Sequence, residues 1–307
     1  MLRTSATPAA PTPATSANPA NPANPANPAT EWRHDDVCDR PDPRPYFHRL
    51  HPLGHQSPHH AQQVFRRLRN LLGQPAGLRD RPPTVLDVGC SYGVNAALLR
   101  HDVTLHDLCT RYTDPALSGL SSRELAARDR AFYAGRRLTA AARTIGLDTA
   151  RNAVDYAREA SLLDLAFAED LEAREPSPQL ARAMGGVDLI TVTDAVGRFT
   201  GRTFHRLLAA ARRPVWVAAF VSRTVPYGPV ADALARHGLV THRTPGTYPH
   251  RRFVDAEEQR HTVAALTDAG RCTAGREAAG WLHTELHLSR PAGSPVALPL
   301  ATVLGVV

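Results

Sequence analysis

Apolar side chains recur at helical spacing from Ser57 onward: Ala61, Val64, Phe65, Leu68, Leu71 and Leu72. Ser57-Pro58 supplies a helix start and Gly73 a stop, so one helix is expected there. Past Arg81-Pro82-Pro83 the pattern changes to short continuous apolar runs, the mark of strands buried on both faces. Thr84–Val88 is the first, followed by a glycine loop and a helix over Val94–Arg100. Further strand-like runs cover residues 144–148, 165–168, 187–193, 215–221, 239–243 and 282–288. Helical patterns cover 151–160, 203–212 and 255–269, and another helix ends at Gly238. This alternation predicts an α/β fold with a doubly wound, mostly parallel seven-stranded sheet. The last two strands should be joined by a helix-containing connection instead of a tight hairpin.

His101–Ala142 breaks the alternation. Leu125, Arg128, Phe132, Tyr133 and Leu138 give Ser121–Ala142 a helical pattern, so a helical insertion is expected after the first sheet helix. The chain therefore divides into four parts. Residues 1–31 form an Ala/Pro/Asn-rich tail with four Asn-Pro-Ala copies over Asn18–Ala29, a composition that favours disorder. Residues 32–82 form a helical preface, and residues 83–294 the α/β domain with its insertion at about 101–142. Residues 295–307 are an apolar C-terminal extension, interrupted by Pro299 and too short to span a membrane.

Composition narrows the chemistry. All 36 basic residues counted as Lys+Arg are arginine. Without lysine there is no side-chain Schiff base, no P-loop and no kinase strand lysine. The formal charge is +7 and the sequence pI about 9.7, but the arginines are scattered. The densest cluster is Arg66, Arg67 and Arg69, with no basic stripe, so nucleic acid is not expected as a partner. Four cysteines without a C-x-x-C pair read as reduced thiols in a cytoplasmic setting. The N-terminal residues lack the apolar stretch of a secretory signal, and no run of 18 apolar residues occurs.

The strongest local signal is Asp87-Val88-Gly89-Cys90-Ser91-Tyr92-Gly93 after the first strand. Gly89 and Gly93 let backbone approach a ligand, and the following helix N-terminus offers free amides. The loop is shorter than the G-x-G-x-x-G of dinucleotide enzymes. It also carries an acid, Asp87, which suits a cationic group better than a pyrophosphate.

This stretch resembles the glycine-loop motif of class I S-adenosylmethionine-dependent methyltransferases. Three further segments resemble that family in order: Gly146-Leu147-Asp148 with the helix from Ala153, Ala168–Glu172, and Gly186–Ile190. The likeness spans about residues 84–290 and implies the Rossmann-like methyltransferase fold with S-adenosyl-L-methionine as cofactor. By that resemblance Asp87, Gly89, Cys90, Ser91, Tyr92 and Gly93 hold the methionine end, and Asp148 the ribose. Asp170 and Leu171 flank the adenine, and Thr193 lies near the sulfonium. Asp148 follows Asp87 by 61 positions, against about 20 in dinucleotide folds. The insertion accounts for the gap, with Asp107 or Asp114 as the alternative ribose acid. Thr191–Gly197 lacks the Asn/Asp-Pro-Pro-aromatic tetrapeptide of amide and nucleobase N-methylation.

The expected activity is methyl transfer to a small-molecule substrate by in-line displacement in a closed pocket, of the kind met in specialised metabolism. The alternatives are aminocarboxypropyl transfer or cyclisation with the same cofactor, or an RNA methyltransferase. Asp194 and Tyr227 are candidates for proton chemistry, although Asp194 also suits a helix cap. Tyr92 either covers the methionine part or packs the loop. Tyr112 and Tyr133 are placed as lid residues over the substrate. Tyr248, Arg251 and Arg252, in a loop over 247–253, are candidates for clamping a substrate carboxylate. His48, His51, His55, His59 and His60 look like a metal cluster, but Pro52, Gly54 and Pro58 keep them off one helix face. No metal is expected.

Overall fold

A computed structural model describes residues 37–73, 82–139 and 141–293; the expected tail and the apolar extension 295–307 lie outside the described residues. The α/β doubly wound sheet is present. In order, its elements are α1 (Arg44–Leu50), α2 (Ser57–Leu72), β1 (Thr84–Val88), α3 (Val94–Arg100), α4 (Leu105–Tyr112) and α5 (Ser122–Ala134). Then come β2 (Arg143–Asp148), α6 (Arg151–Glu159), β3 (Leu165–Ala168), α7 (Pro178–Met184), β4 (Leu189–Thr193) and α8 (Gly201–Ala209). The last are β5 (Trp216–Ser222), α9 (Gly228–Ala235), β6 (Leu239–Arg243), β7 (Tyr248–Arg252), α10 (Ala256–Asp268) and β8 (Trp281–Pro291).

The sheet runs β3-β2-β1-β4-β5-β8-β6, with β7 also paired to β8. The five strands β1 to β5 are mutually parallel, and β8 is antiparallel to β5, β6 and β7. The sheet therefore has eight strands where seven were expected. The additional strand is β7, in the segment expected to be a loop. Its Tyr-Pro-His-Arg-Arg sequence has no apolar run, so periodicity could not reveal it. Edge pairing to β8 makes the strand instead.

The sheet separates two apolar layers. Leu86, Val88, Ile190, Val192, Val217 and Ala219 face a layer completed by α7, α8 and α9. Their alternate neighbours Val85, Leu189, Trp216, Ala218 and Phe220 face α2, whose Ala61, Val64, Phe65, Leu68 and Leu72 are all buried. Phe65 meets Phe220 edge-on at 5.9 Å between ring centres. The preface helix is thus one of the layers of the main domain. Truncating a buried aromatic such as Phe65 to alanine typically costs about 3–5 kcal/mol.

The insertion shares a core with the preface, α3 and α6, and Phe47 stacks on Tyr112 at 4.7 Å between ring centres. Capping boxes start α4 (Thr104 with Asp107) and α5 (Ser121 with Glu124), and Asp114 caps the short turn at Pro115–Leu117. Asp107 and Asp114 are therefore engaged as caps, which leaves Asp148 as the acid at a strand end. The expected helix over 121–142 ends at Ala134, because Gly135 terminates it and the chain turns back toward α3 through Leu138 N–H to Arg100 O. Among the described residues, no helix is long and apolar enough to cross a membrane.

Candidate functional site

The strand order reverses direction between β1 and β4, and open α/β sheets bind ligands beyond the strand ends at such a point. A cavity of about 150 Å³ lies there. Gly89, Cys90, Ser91, Val94 and Asn95 line it from the β1 side, and Thr193, Asp194 and Arg198 from the β4 side. Cys38, Tyr46, Leu50, His55 and Pro58 of the preface cover it, together with His250 of β7.

The glycine loop is folded by its own backbone. Gly89 (φ 75°) and Cys90 donate to Leu147 O at 2.8 and 3.2 Å, and Ser91 adopts φ 45°. A Cβ on Gly89 would fall 2.3 Å from Cβ of Ala195, so glycine is needed where the β1 and β4 loops touch. Asp148 ends β2 fully buried. Its Oδ2 accepts from Ser91 N–H at 2.8 Å. Its Oδ1 accepts from Thr149 N–H (2.7 Å), Ala150 N–H (3.2 Å) and the Arg198 guanidinium (3.2 Å).

Asp87 is also buried. It accepts from Thr191 Oγ1 at 2.8 Å and from Asn95 Nδ2, and burial pushes its carboxyl up to about 7. It does not line the cavity. Asn95, which also donates to Thr193 Oγ1 at 3.2 Å, stands between Asp87 and the open space.

The far end of the cavity holds an unusual polar group. Asp194 follows β4 in left-handed backbone (φ 56°), which a non-glycine residue rarely adopts and which clusters at functional sites. Its Oδ2 lies 3.4 Å from Nε2 of His250 and 3.7 Å from Nε2 of His55. Both Asp194 carboxylate oxygens and His250 Nδ1 are buried without a hydrogen bond among the described residues. Burial raises the Asp194 carboxyl, but His250, His55 and Ser57 around it hold it below its usual value. Burial pushes His250 down to about 4.

Two local devices bring the histidines there. In β7, Pro249 pairs with His283 and Arg251 with Leu282, so His250 is the extra residue of a β-bulge. The turn after α1 lies alongside: Arg252 N–H donates to Leu53 O (2.7 Å) and Gln56 N–H to His250 O (2.8 Å). His55 and His250 then stand 5.1 Å apart between ring centres.

Of the residues singled out from sequence, Gly89, Cys90, Ser91, Thr193 and Asp194 line the cavity, and Asp148 binds the loop amide behind them. Asp170 accepts from the Glu172 and Ala173 amides and closes the turn after β3. Leu171 is buried in the sheet layer.

Others are placed elsewhere. The Tyr92 hydroxyl accepts from Arg40 N–H at 2.8 Å and donates to carbonyls of the preface, so its ring packs the loop. Tyr227 stacks on His287 at 4.1 Å, outside the residues lining the cavity. Tyr112 and Tyr133 are buried around Asp129, whose Oδ2 accepts from Tyr112 and Tyr156, each at 2.5 Å. They form the core of the insertion instead of a lid surface. Tyr248 packs against Phe220 and His60. Arg251 is paired with Glu258 at 2.6 Å, and Arg252 lies over Trp281, so the structure does not bring the expected clamp to the cavity.

Sequence reading missed Asn95, Arg198 and Tyr46, and it placed His250 only as the imidazole of the 247–253 loop. Asn95 sits two residues past Gly93 and was the one with a positional signal.

No protein-family model matches the chain, and no curated protein matches it. Solved structures with a similar fold include precorrin-6y C5,15-methyltransferase from Geobacter metallireducens. It is 7% identical with a TM-score of 0.37, over 76% of this chain and 86% of that one. Magnesium protoporphyrin IX methyltransferase from Synechocystis PCC 6803, with bound S-adenosylmethionine, is 13% identical with a TM-score of 0.34, over 75% and 80%. A plantazolicin methyltransferase in complex with S-adenosylhomocysteine is 10% identical with a TM-score of 0.37, over 80% and 88%.

Proposed function

We propose that this chain is an S-adenosyl-L-methionine-dependent methyltransferase acting on a small molecule. Likeness at the level of these solved structures does not define a reaction; the residues of the cleft have to. The observation that carries the reading is the pairing of the Ser91 amide with the Asp148 carboxylate at 2.8 Å, at the sheet's switch point. It joins the glycine loop to a strand-end acid, one element suited to a methionine carboxylate and the other to ribose hydroxyls.

The residues present suit the cofactor's chemical groups, and the cleft of about 150 Å³ has to open to admit it. Ser91 Oγ is buried without a hydrogen bond among the described residues, and Gly89 presents no side chain. Arg198, whose side chain is 28% exposed, holds Asp148 Oδ1 and is the group that must yield to a ribose. Asn95, oriented from below by Asp87, and the buried Ser91 Oγ would hold the methionine end, because the Gly89, Cys90 and Ser91 amides already donate to Leu147 O and Asp148. Asp148 would take the ribose, and the turn at Asp170-Leu171 the adenine. When bound, the cofactor supplies an electrophilic methyl group. The chain has to orient an acceptor, exclude water and remove a proton where one is lost. Asp194, with His55 and His250, is placed for the last task, at the end of the cavity enclosed by the preface. That enclosure favours a small acceptor over a polymer.

Calorimetric titration of S-adenosylmethionine tests the reading. Micromolar binding is expected, weakened on the order of 10- to 100-fold by Asp148→Ala, which removes hydrogen bonds to a charged group. Unchanged binding in that variant would sink it. Product analysis then distinguishes methyl transfer, which leaves S-adenosylhomocysteine, from aminocarboxypropyl transfer, which leaves methylthioadenosine.

A further inference from the structure

We propose that His55, Asp194 and His250 bind a divalent first-row transition metal at the acceptor end of the cleft. The three come from separate parts of the chain: the turn after α1, the end of β4 and the bulge of β7. One ligand atom from each lies within 4.8 Å of the others. The two histidine–carboxylate separations, 3.4 and 3.7 Å, are near the spacing of adjacent ligands around one ion. Metal–ligand bonds of about 2.0–2.2 Å at right angles put neighbouring donors about 3 Å apart. Small shifts therefore close the set.

The donor chemistry agrees. Two imidazoles and a carboxylate on one side of an ion leave open positions, the arrangement used by non-haem iron(II) and also suited to zinc or cobalt. Both oxygens of Asp194 are buried without a hydrogen bond among the described residues, so their lone pairs are open to a cation. Outer contacts fit as well. Tyr46 Oη lies 3.5 Å from His55 Nδ1, a polar neighbour able to accept from Nδ1–H when Nε2 ligates. A left-handed aspartate and a bulged histidine are both conformations that need a reason, and one ion accounts for both.

The open positions would face the cavity, so the acceptor class is a small molecule with an oxygen donor: a hydroxyl, an enol or a carboxylate. That role rests on the methyl-transfer reading; the ion site does not. With the ion present, an acceptor hydroxyl would lose its proton more readily, and Asp194 would act as ligand instead of base.

The test is titration of untagged, full-length protein with Co(II) and Zn(II), read by calorimetry and by the visible d–d bands of Co(II). One ion per chain is expected, with the bands present. His55→Gln and His250→Gln should each weaken binding by more than about 100-fold, since loss of even an outer-shell partner costs 10- to 100-fold. Circular dichroism melts confirm that the variants fold, and Asp194→Asn gives a third, sterically mild variant. The proposal is overturned if the wild-type protein binds no ion, or if folded variants bind as tightly as wild type through other histidines. Titration of wild-type protein with S-adenosylmethionine separates the two ideas. Cofactor binding without metal sinks only the ion site, and metal binding without cofactor sinks only the methyl-transfer reading.

Discussion

The guanidinium of Arg198 reaches Oδ1 of Asp148 at 3.2 Å and ties the loop after β4 to the end of β2 across the mouth of the cleft. The carboxylate it holds is the one a ribose would need. Asp148 already accepts three backbone amides, and Arg198 is the side-chain donor that a diol would displace from Oδ1. Partly exposed ion pairs are worth up to about 1 kcal/mol, a factor of about 5 in affinity. Arg198→Ala should therefore tighten S-adenosylmethionine binding by about that factor in a calorimetric titration. Weaker binding would mean that Arg198 contacts the cofactor itself.

The insertion should behave as a stability element. Tyr112, Tyr133 and Tyr156 surround Asp129, which Arg111 also pairs at 2.6 Å. Tyr133→Phe removes one hydroxyl from this network and should cost about 1 kcal/mol in urea unfolding. Asp129→Ala leaves Arg111 without this partner and should cost about 3–5 kcal/mol. Neither change should move the acceptor KM of folded enzyme. A shift in KM for Tyr133→Phe at unchanged stability would restore the lid role.

The order of strands and the glycine loop were legible because they depend on local signals. Continuous apolar runs mark strands covered on both sides, and Gly89 marks a contact no other residue permits. Asp194 was legible for the same reason, as the residue after a strand. His55 and His250 were not. They are far apart in sequence, and their meeting depends on a bulge and on two backbone hydrogen bonds between the preface turn and β7. Reading the five histidines of the preface as one group looked for a shared helix face, whereas the structure takes a single member and pairs it across the fold. The tyrosines misled in the opposite way. An aromatic with a hydroxyl suits either a pocket or a polar core, and only the position of Asp129 decides between them.

Two buried groups give opposite pH dependences. Burial raises Asp87 from 3.8 to about 7, so folding favours its protonated form. That contribution is fully present below pH 3.8 and is lost as pH rises through about 7. Burial lowers His101 from 6.5 to about 4, so folding favours the neutral ring. Its contribution is present above pH 6.5 and is lost as pH falls through about 4. Relative to wild type, Asp87→Asn should gain stability as pH rises from about 4 to about 7, and His101→Gln should gain as pH falls from 6.5 to about 4. Thermal melts across pH check both. Parallel profiles for wild type and Asp87→Asn would mean that the buried carboxyl titrates as it does in the unfolded chain.

Gly89 offers a test of why the loop has its shape. Gly89→Ala faces two separate penalties. The φ of 75° disfavours any L-residue by about 1–2 kcal/mol, and the new methyl would fall 2.3 Å from Cβ of Ala195. Ala195 directly follows Asp194, so relief of the clash must move either the loop under the cofactor or the aspartate at the acceptor end. The single variant should lose both stability and cofactor affinity. Gly89→Ala with Ala195→Gly removes the 2.3 Å clash and leaves the dihedral cost together with a close contact to Phe199 Cε2 at 3.3 Å. The double variant should therefore recover cofactor affinity while remaining about 1–2 kcal/mol less stable than Ala195→Gly alone in urea unfolding. If affinity stays lost in the double variant, the cofactor needs the space above Gly89 itself, and the glycine serves ligand approach as well as the contact between loops.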